Sequence, residues 1–124
     1  MIAADTSSLV AFFKGQSGPD VERVAEALAS DGLVLPPVVL TEILTDPDSA
    51  ALLQADLLDL TLLEITPGYW ERAGLSRRRL RAIGLKAKVA DALIAQACID
   101  SDVALITRDT DFRHFAKHCG LKLA

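Results

Sequence analysis

Short apolar runs alternate along this chain with stretches whose apolar residues recur at helical spacing, and that alternation leaves few folds open. The runs are Ile2-Ala3-Ala4, Leu33-Val34-Leu35, Thr61-Leu62-Leu63-Glu64-Ile65 and Val103-Ala104-Leu105-Ile106. The first, second and fourth read as buried strands, because continuous apolar character without alternation suits a strand covered on both faces, and residues 61–65 read as a third strand. A helical segment between successive strands returns the chain to the same edge, so the strands pair in parallel and helices cover the sheet. The class expected is α/β, a short parallel sheet flanked by helices.

The intervening segments carry their own signals. Thr6-Ser7-Ser8 offers capping hydroxyls before Leu9, Val10, Phe12 and Phe13. In residues 20–30, Val21, Val24, Ala25 and Leu28 stand at i, i+3, i+4, i+7, which predicts their side as the buried face of a helix. Pro36-Pro37 starts a short helix over 38–45, and Asp48 or Ser49 caps another running to about residue 60. Residues 67–83 read as a polar helix with Tyr69, Trp70 and Leu75 toward the core, and 87–99 as a helix of small apolar residues. Residues 109–118 form a last helix ended by Gly120, with Leu121-Lys122-Leu123 as an edge strand.

With 124 residues, 51% of them apolar, the chain is one domain, residues 1–124, able to build a core without disulfides or structural metal. Cys98 and Cys119 have no metal spacing and read as small apolar fillers in a reducing compartment. No apolar run approaches the roughly 20 residues of a membrane span, and the start lacks a signal-peptide pattern. A cytoplasmic protein that does not engage membrane is expected.

Acids stand where the apolar runs end. In an open parallel sheet the ligand site lies beyond the carboxyl ends of the strands. Asp5 closes the first run, and Asp109 and Asp111 follow the fourth in Thr107-Arg108-Asp109-Thr110-Asp111. Glu42 shares a helix face with Val38 and Val39, and Asp91 shares one with Ile94, Ala95 and Cys98. Singly, each acid has a plainer use: Asp5 and Asp109 as N-caps, Asp91 and Asp111 as first-turn acids, Glu42 as a solvated helix residue. Together, four or five carboxylates at one end of a sheet repel unless a cation neutralises them. An all-oxygen set suits magnesium or manganese rather than zinc, and the chemistry that follows is phosphodiester hydrolysis.

Four strings, Asp5-Thr6-Ser7, Pro37-Val38-Val39-Leu40-Thr41-Glu42, Ala90-Asp91-Ala92-Leu93-Ile94-Ala95 and Leu105-Ile106-Thr107-Arg108-Asp109-Thr110-Asp111-Phe112, occur in that order over essentially the full length. In this series the chain resembles a PIN-domain ribonuclease of the VapC toxin type, from type II toxin-antitoxin systems. The resemblance implies a PIN-like three-layer sandwich, Mg2+-dependent cleavage of RNA (Mn2+ as the other candidate), a homodimer in a prokaryotic cytoplasm, and a cognate antitoxin. It makes Asp5, Glu42, Asp91 and Asp109 the acidic quartet that holds metal and catalyses, with Thr107, Asp111 and Thr6 in support. Whether Glu42 is a ligand or a general base stays open, as does the choice between one ion and two.

The net charge of −4 conceals an uneven distribution. Residues 1–71 hold twelve acids against two bases, whereas residues 72–88 hold seven bases and no acid. In this basic segment Arg77, Arg78, Arg79, Arg81, Lys86 and Lys88 are candidate RNA-binding residues, against a plainer reading as a solvated helix face. His114 and His118, at i and i+4, read as exposed residues rather than a zinc pair. Two alternatives share the architecture: a phosphoacceptor receiver-like signalling domain, which needs paired acids where only Asp5 stands, and a PIN-fold RNA-binding adaptor without catalysis.

Overall fold

The computed structural model describes residues 1–48 and 59–124. The helix expected between residue 48 or 49 and about residue 60 lies largely outside them. Four strands, β1 (Ile2–Ala4), β2 (Leu33–Leu35), β3 (Thr61–Leu62) and β4 (Ala104–Ile106), form one parallel sheet in the order β3-β2-β1-β4. Six helices accompany it among the described residues: α1 (Thr6–Phe13), α2 (Pro19–Ala29), α3 (Pro37–Thr45), α4 (Tyr69–Ala82), α5 (Val89–Ser101) and α6 (Phe112–Cys119).

Neighbouring strand residues point to opposite faces of a sheet. Ala3 and Ala4 are both fully buried, as are Leu105 and Ile106 to within one per cent. Both faces are therefore covered, which is the three-layer arrangement that continuous apolar runs require. The two alanines of β1 let the layers approach closely at the centre of the sheet, while Leu9, Leu35, Ile43, Leu80, Ile94, Phe112 and Phe115 fill the space beyond.

β1 lies at the centre, with β2 on one side and β4 on the other. The chain thus runs outward in one direction from β1 and returns to its opposite flank, which puts a crevice beyond the carboxyl ends of β1 and β4. The backbone N–H of Asp5 donates to the carbonyl of Ile106 at 3.0 Å and joins the two strand ends.

Several local expectations change. The third strand covers Thr61–Leu62 rather than 61–65, as an exposed edge that pairs with β2 alone among the described residues. The chain end adds a single parallel bridge, Leu105 to Leu123, instead of an edge strand. On α2 the buried face is Asp20, Val24 and Ala27, so Ala25 is exposed and an acid points inward in place of Val21. On α4 the buried residues are Tyr69, Ala73 and Leu80, at i, i+4 and i+11, so Trp70 and Leu75 fall off that face and are 62% and 53% exposed. Tyr69 wins the inward place because its hydroxyl reaches the Leu93 carbonyl at 2.6 Å. Helix α6 begins at Phe112, so Asp109 is not its cap; His114 and His118 are half-buried. Both cysteines are free, Cys98 buried and Cys119 half-buried.

Candidate active site

Asp5 follows β1 and caps α1, which is its plainer use. Its carboxylate accepts the Ser8 backbone N–H at 3.0 Å, the Ser7 hydroxyl at 2.9 Å and the Thr107 hydroxyl at 2.6 Å. The Thr107 hydroxyl in turn accepts the Asp109 N–H at 3.0 Å, and Asp109 Oδ1 accepts the Asp111 N–H at 2.9 Å. This turn is an Asx-type arrangement that presents two carboxylates two residues apart. Asp91 comes from the first turn of α5 and completes a cluster: one carboxyl oxygen from each of Asp91, Asp109 and Asp111 lies within 4.8 Å of the others, all three half-buried.

A pocket of about 380 Å³ opens beside this cluster, lined by Asp5, Thr6, Ser7, Glu42, Lys88, Asp91 and Asp109 together with Val10, Ala90, Ile94 and Phe112. Glu42 reaches it from α3, and its Oε1 accepts the Thr6 hydroxyl at 2.7 Å. All four acids of the expected quartet therefore meet in one pocket, with Thr6 and Thr107 bonded to two of them. Asp111, expected only in support, stands in the tightest acid cluster.

The electrostatics match a site built for a cation. Burial raises the carboxyl pKa of Asp5 despite the hydrogen bonds from Thr107, Ser8 and Ser7, and repulsion from Asp109 adds to the rise. Asp91 is pushed up to about 6, by burial first and then by Asp109, Asp111 and Glu42, with Lys88 pulling the other way. Among the described residues Lys88 is the only base that lines the pocket. An all-carboxylate set in this spacing fits a hard divalent cation, whose charge would offset the mutual repulsion.

The basic segment divides. Arg72 is committed to Asp100 at 2.7 Å, to the Thr66 hydroxyl and to the Pro67 carbonyl. Arg77 donates to the Ala87 carbonyl at 2.7 Å and Arg79 to the His118 carbonyl at 3.1 Å. Arg77, Arg78 and Arg81 line a shallow depression with Gly74 and Ala82 on α4, and Lys86 is exposed in the following loop. Of the six candidates only Lys88 joins the acids. Its place, three residues before Asp91 at the α5 cap, was the one available sequence signal.

A family model described as PIN domain matches residues 2–118. Among solved structures, the chain is similar to the crystal structure of VapBC2 from Rickettsia felis bound to a DNA fragment from their promoter. The identity is 21% and the TM-score 0.73, over 100% of this chain and 98% of that one, a likeness of fold. The match leaves the receiver-like alternative without support.

Proposed function

Because the chain belongs to the PIN domain family, we propose that it is a divalent-metal-dependent endoribonuclease, the toxin of a toxin-antitoxin pair. The observation that supports this most directly is the Asp91, Asp109, Asp111 cluster, its carboxyl oxygens within 4.8 Å of one another, beside a pocket that Asp5 and Glu42 also line. Asp5, Asp91, Asp109 and Asp111 are the residues that would hold Mg2+ or Mn2+. When bound, such an ion lowers the pKa of a coordinated water and offsets charge building on a phosphodiester.

The side chains divide the remaining work. Thr6 fixes Glu42 through Oε1, which leaves Oε2 to accept a proton from the attacking water as a general base. Thr107, Ser7 and Ser8 hold the Asp5 carboxylate in one orientation, so it keeps its charge aimed at the site without rotational freedom. Lys88 at the rim supplies a point charge for a substrate phosphate next to the scissile one. Arg77, Arg78, Arg79, Arg81 and Lys86 contribute a diffuse field farther out that tracks the backbone of single-stranded RNA.

Regulation follows from the same charges. A pocket lined by four carboxylates is well stopped by an Arg or Lys from a partner peptide, which is the role assigned to a cognate antitoxin. The similar structure from Rickettsia felis holds VapBC2 on promoter DNA, and a comparable complex is proposed here. Assembly as a homodimer in a prokaryotic cytoplasm completes the reading. Among the described residues no helix is long and apolar enough to cross a membrane.

The test is cleavage of a single-stranded RNA by the purified chain in Mg2+, in Mn2+ and in EDTA, beside Asp5→Asn. The expected result is cleavage in either ion, none in EDTA, and loss of cleavage in the variant at unchanged circular dichroism. Cleavage persisting in EDTA, or at the wild-type rate in Asp5→Asn, refutes the assignment.

A further inference from the structure

Arg108 stands in the chain between two site residues, Thr107 and Asp109, yet its side chain engages groups outside the acid pocket. Its Nε donates to Asp20 Oδ2 at 2.8 Å, its Nη2 to Asp20 Oδ1 at 3.1 Å and its Nη1 to Gln16 Oε1 at 3.0 Å. A fork of this kind fixes the carboxylate and guanidinium in one plane. Asp20 is 8% exposed on the inward face of α2, and it also accepts the Ser8 hydroxyl at 2.9 Å. Ser8 is the residue whose backbone N–H donates to Asp5. A continuous path therefore runs from Asp109 through Arg108, Asp20 and Ser8 to Asp5.

The backbone around the pair makes room for it. Gly18 sits at φ +148°, and a Cβ there would lie 2.7 Å from Asp20 Oδ1 and 3.3 Å from Arg108 Nη2. Only glycine combines that conformation with the open space the fork occupies. Four segments thus converge on one ion pair: the start of α1, the loop before α2, the first turn of α2, and the turn after β4.

We propose that the Asp20–Arg108 pair is a positioning device for the acid site, setting how close Asp109 stands to Asp5 and Asp91. The proposal rests on the metal-site reading above. Carboxylates brought together without an ion push apart, and the 107–109 turn is the part of the site with least secondary structure to resist. The fork anchors that turn from behind: Arg108 cannot shift without breaking two bonds to a carboxylate that is itself buried and held by Ser8. Asp20 and Arg108 touch neither ion nor substrate; they act through Asp109, Thr107 and Asp5.

Binding of Mn2+ alone, followed by paramagnetic resonance of the free ion, tests this on the full chain. Wild type is compared with Asp20→Asn, Arg108→Lys, Gly18→Ala and Asp109→Asn, each checked by circular dichroism and thermal unfolding. Loss of a group bonded directly to a metal ligand lowers affinity by about tenfold or more; this pair stands one bond farther back, so a several-fold loss is expected. Asp20→Asn and Gly18→Ala are expected to show that loss, and Arg108→Lys a smaller one, because Lys keeps the charge but not the fork. Unchanged Mn2+ affinity in Asp20→Asn and Arg108→Lys, whatever happens to their melting temperatures, overturns the proposal and leaves the pair a part of the scaffold. If Asp109→Asn binds as wild type does, the metal-site reading itself fails, and the positioning role with it. Should Asp20→Asn fail to fold, Arg108→Lys decides, since that side chain is 34% exposed and a lysine there stays solvated.

Discussion

Replacing Asp91 by Asn should make the metal-free protein more stable, not less. The Asp91 carboxyl titrates near 6 in the fold against 3.8 for an unperturbed Asp. Its folded pKa is raised, so between those values the native state holds a proton that the unfolded chain has released. Stability therefore falls as pH rises from about 4 to about 6, and the full penalty is present at neutral pH. The rise from 3.8 to about 6 corresponds to about 3 kcal/mol for a carboxyl shielded from solvent. The side chain is half-buried, and solvent screening reduces the expected gain from Asn to about 1 kcal/mol. For a domain of this size that is roughly 4 °C in Tm. The assay is thermal and urea unfolding of both proteins in EDTA at about pH 7.5 and at about pH 4, where the carboxyl is protonated or nearly so in the fold and the advantage should largely vanish. Saturating Mn2+ should then invert the order, because an ion at a hundred times its Kd adds about 2.7 kcal/mol to whichever protein still binds it. An Asn variant no more stable than wild type in EDTA at neutral pH, or a gain independent of pH, would refute the claim that repulsion and burial load this carboxylate.

Two further outcomes separate the surface from the core. Charge reversal at Arg78 and Arg81, which line the same depression on α4, should weaken RNA binding and make the dependence of log affinity on log salt shallower by roughly 1.4, about 0.7 for each lost phosphate contact; an unchanged slope in a salt series would remove these arginines from the binding surface. Phe115→Ala should cost about 3–5 kcal/mol in urea unfolding because the ring is fully buried, whereas Trp70→Ala, at a side chain 62% exposed that loses an edge-on contact with Tyr69, should cost no more than about 1.5 kcal/mol.

The sheet and the acids at its strand ends were legible in the sequence for one reason. A strand buried on both faces has to be apolar throughout, so its end is marked by the first polar residue, and in a parallel sheet that residue stands at the ligand face. Asp5 directly after Ala4, and Asp109 and Asp111 shortly after Ile106, follow that logic. Glu42 and Asp91 were legible because an acid in an apolar helix stripe needs a reason to be there. Asp111 was underrated because the closeness of its carboxylate to Asp91 depends on the Asp109 turn, and spacing alone does not foretell how a turn aims two side chains. Trp70 was misplaced because helical periodicity admits one of two adjacent aromatics inward, and the choice turned on a carbonyl of α5 that Tyr69 reaches.

Asp20 shows the same limit from the other side. Read along α2, an acid in the first turn is a dipole residue, and the apolar stripe beginning at Val21 looks complete without it. The helix is instead rotated so that Asp20 faces inward, and its partner lies 88 residues away in the chain. Local propensity and periodicity cannot see an ion pair of that separation, yet the pair accounts for a buried acid on α2. The fork with Arg108 holds the Asp20 carboxyl down to about 2, with the Ser8 hydroxyl helping, so Asp20 keeps its charge at pH values well below those at which Asp91 takes up a proton. The two buried-face acids are thus opposites: one has its cation built into the chain, and the other stands in a cluster that fits a cation from solution. A site of the second kind is held together before the ion arrives only if something else resists the repulsion, and the Asp20–Arg108 fork is placed to do so.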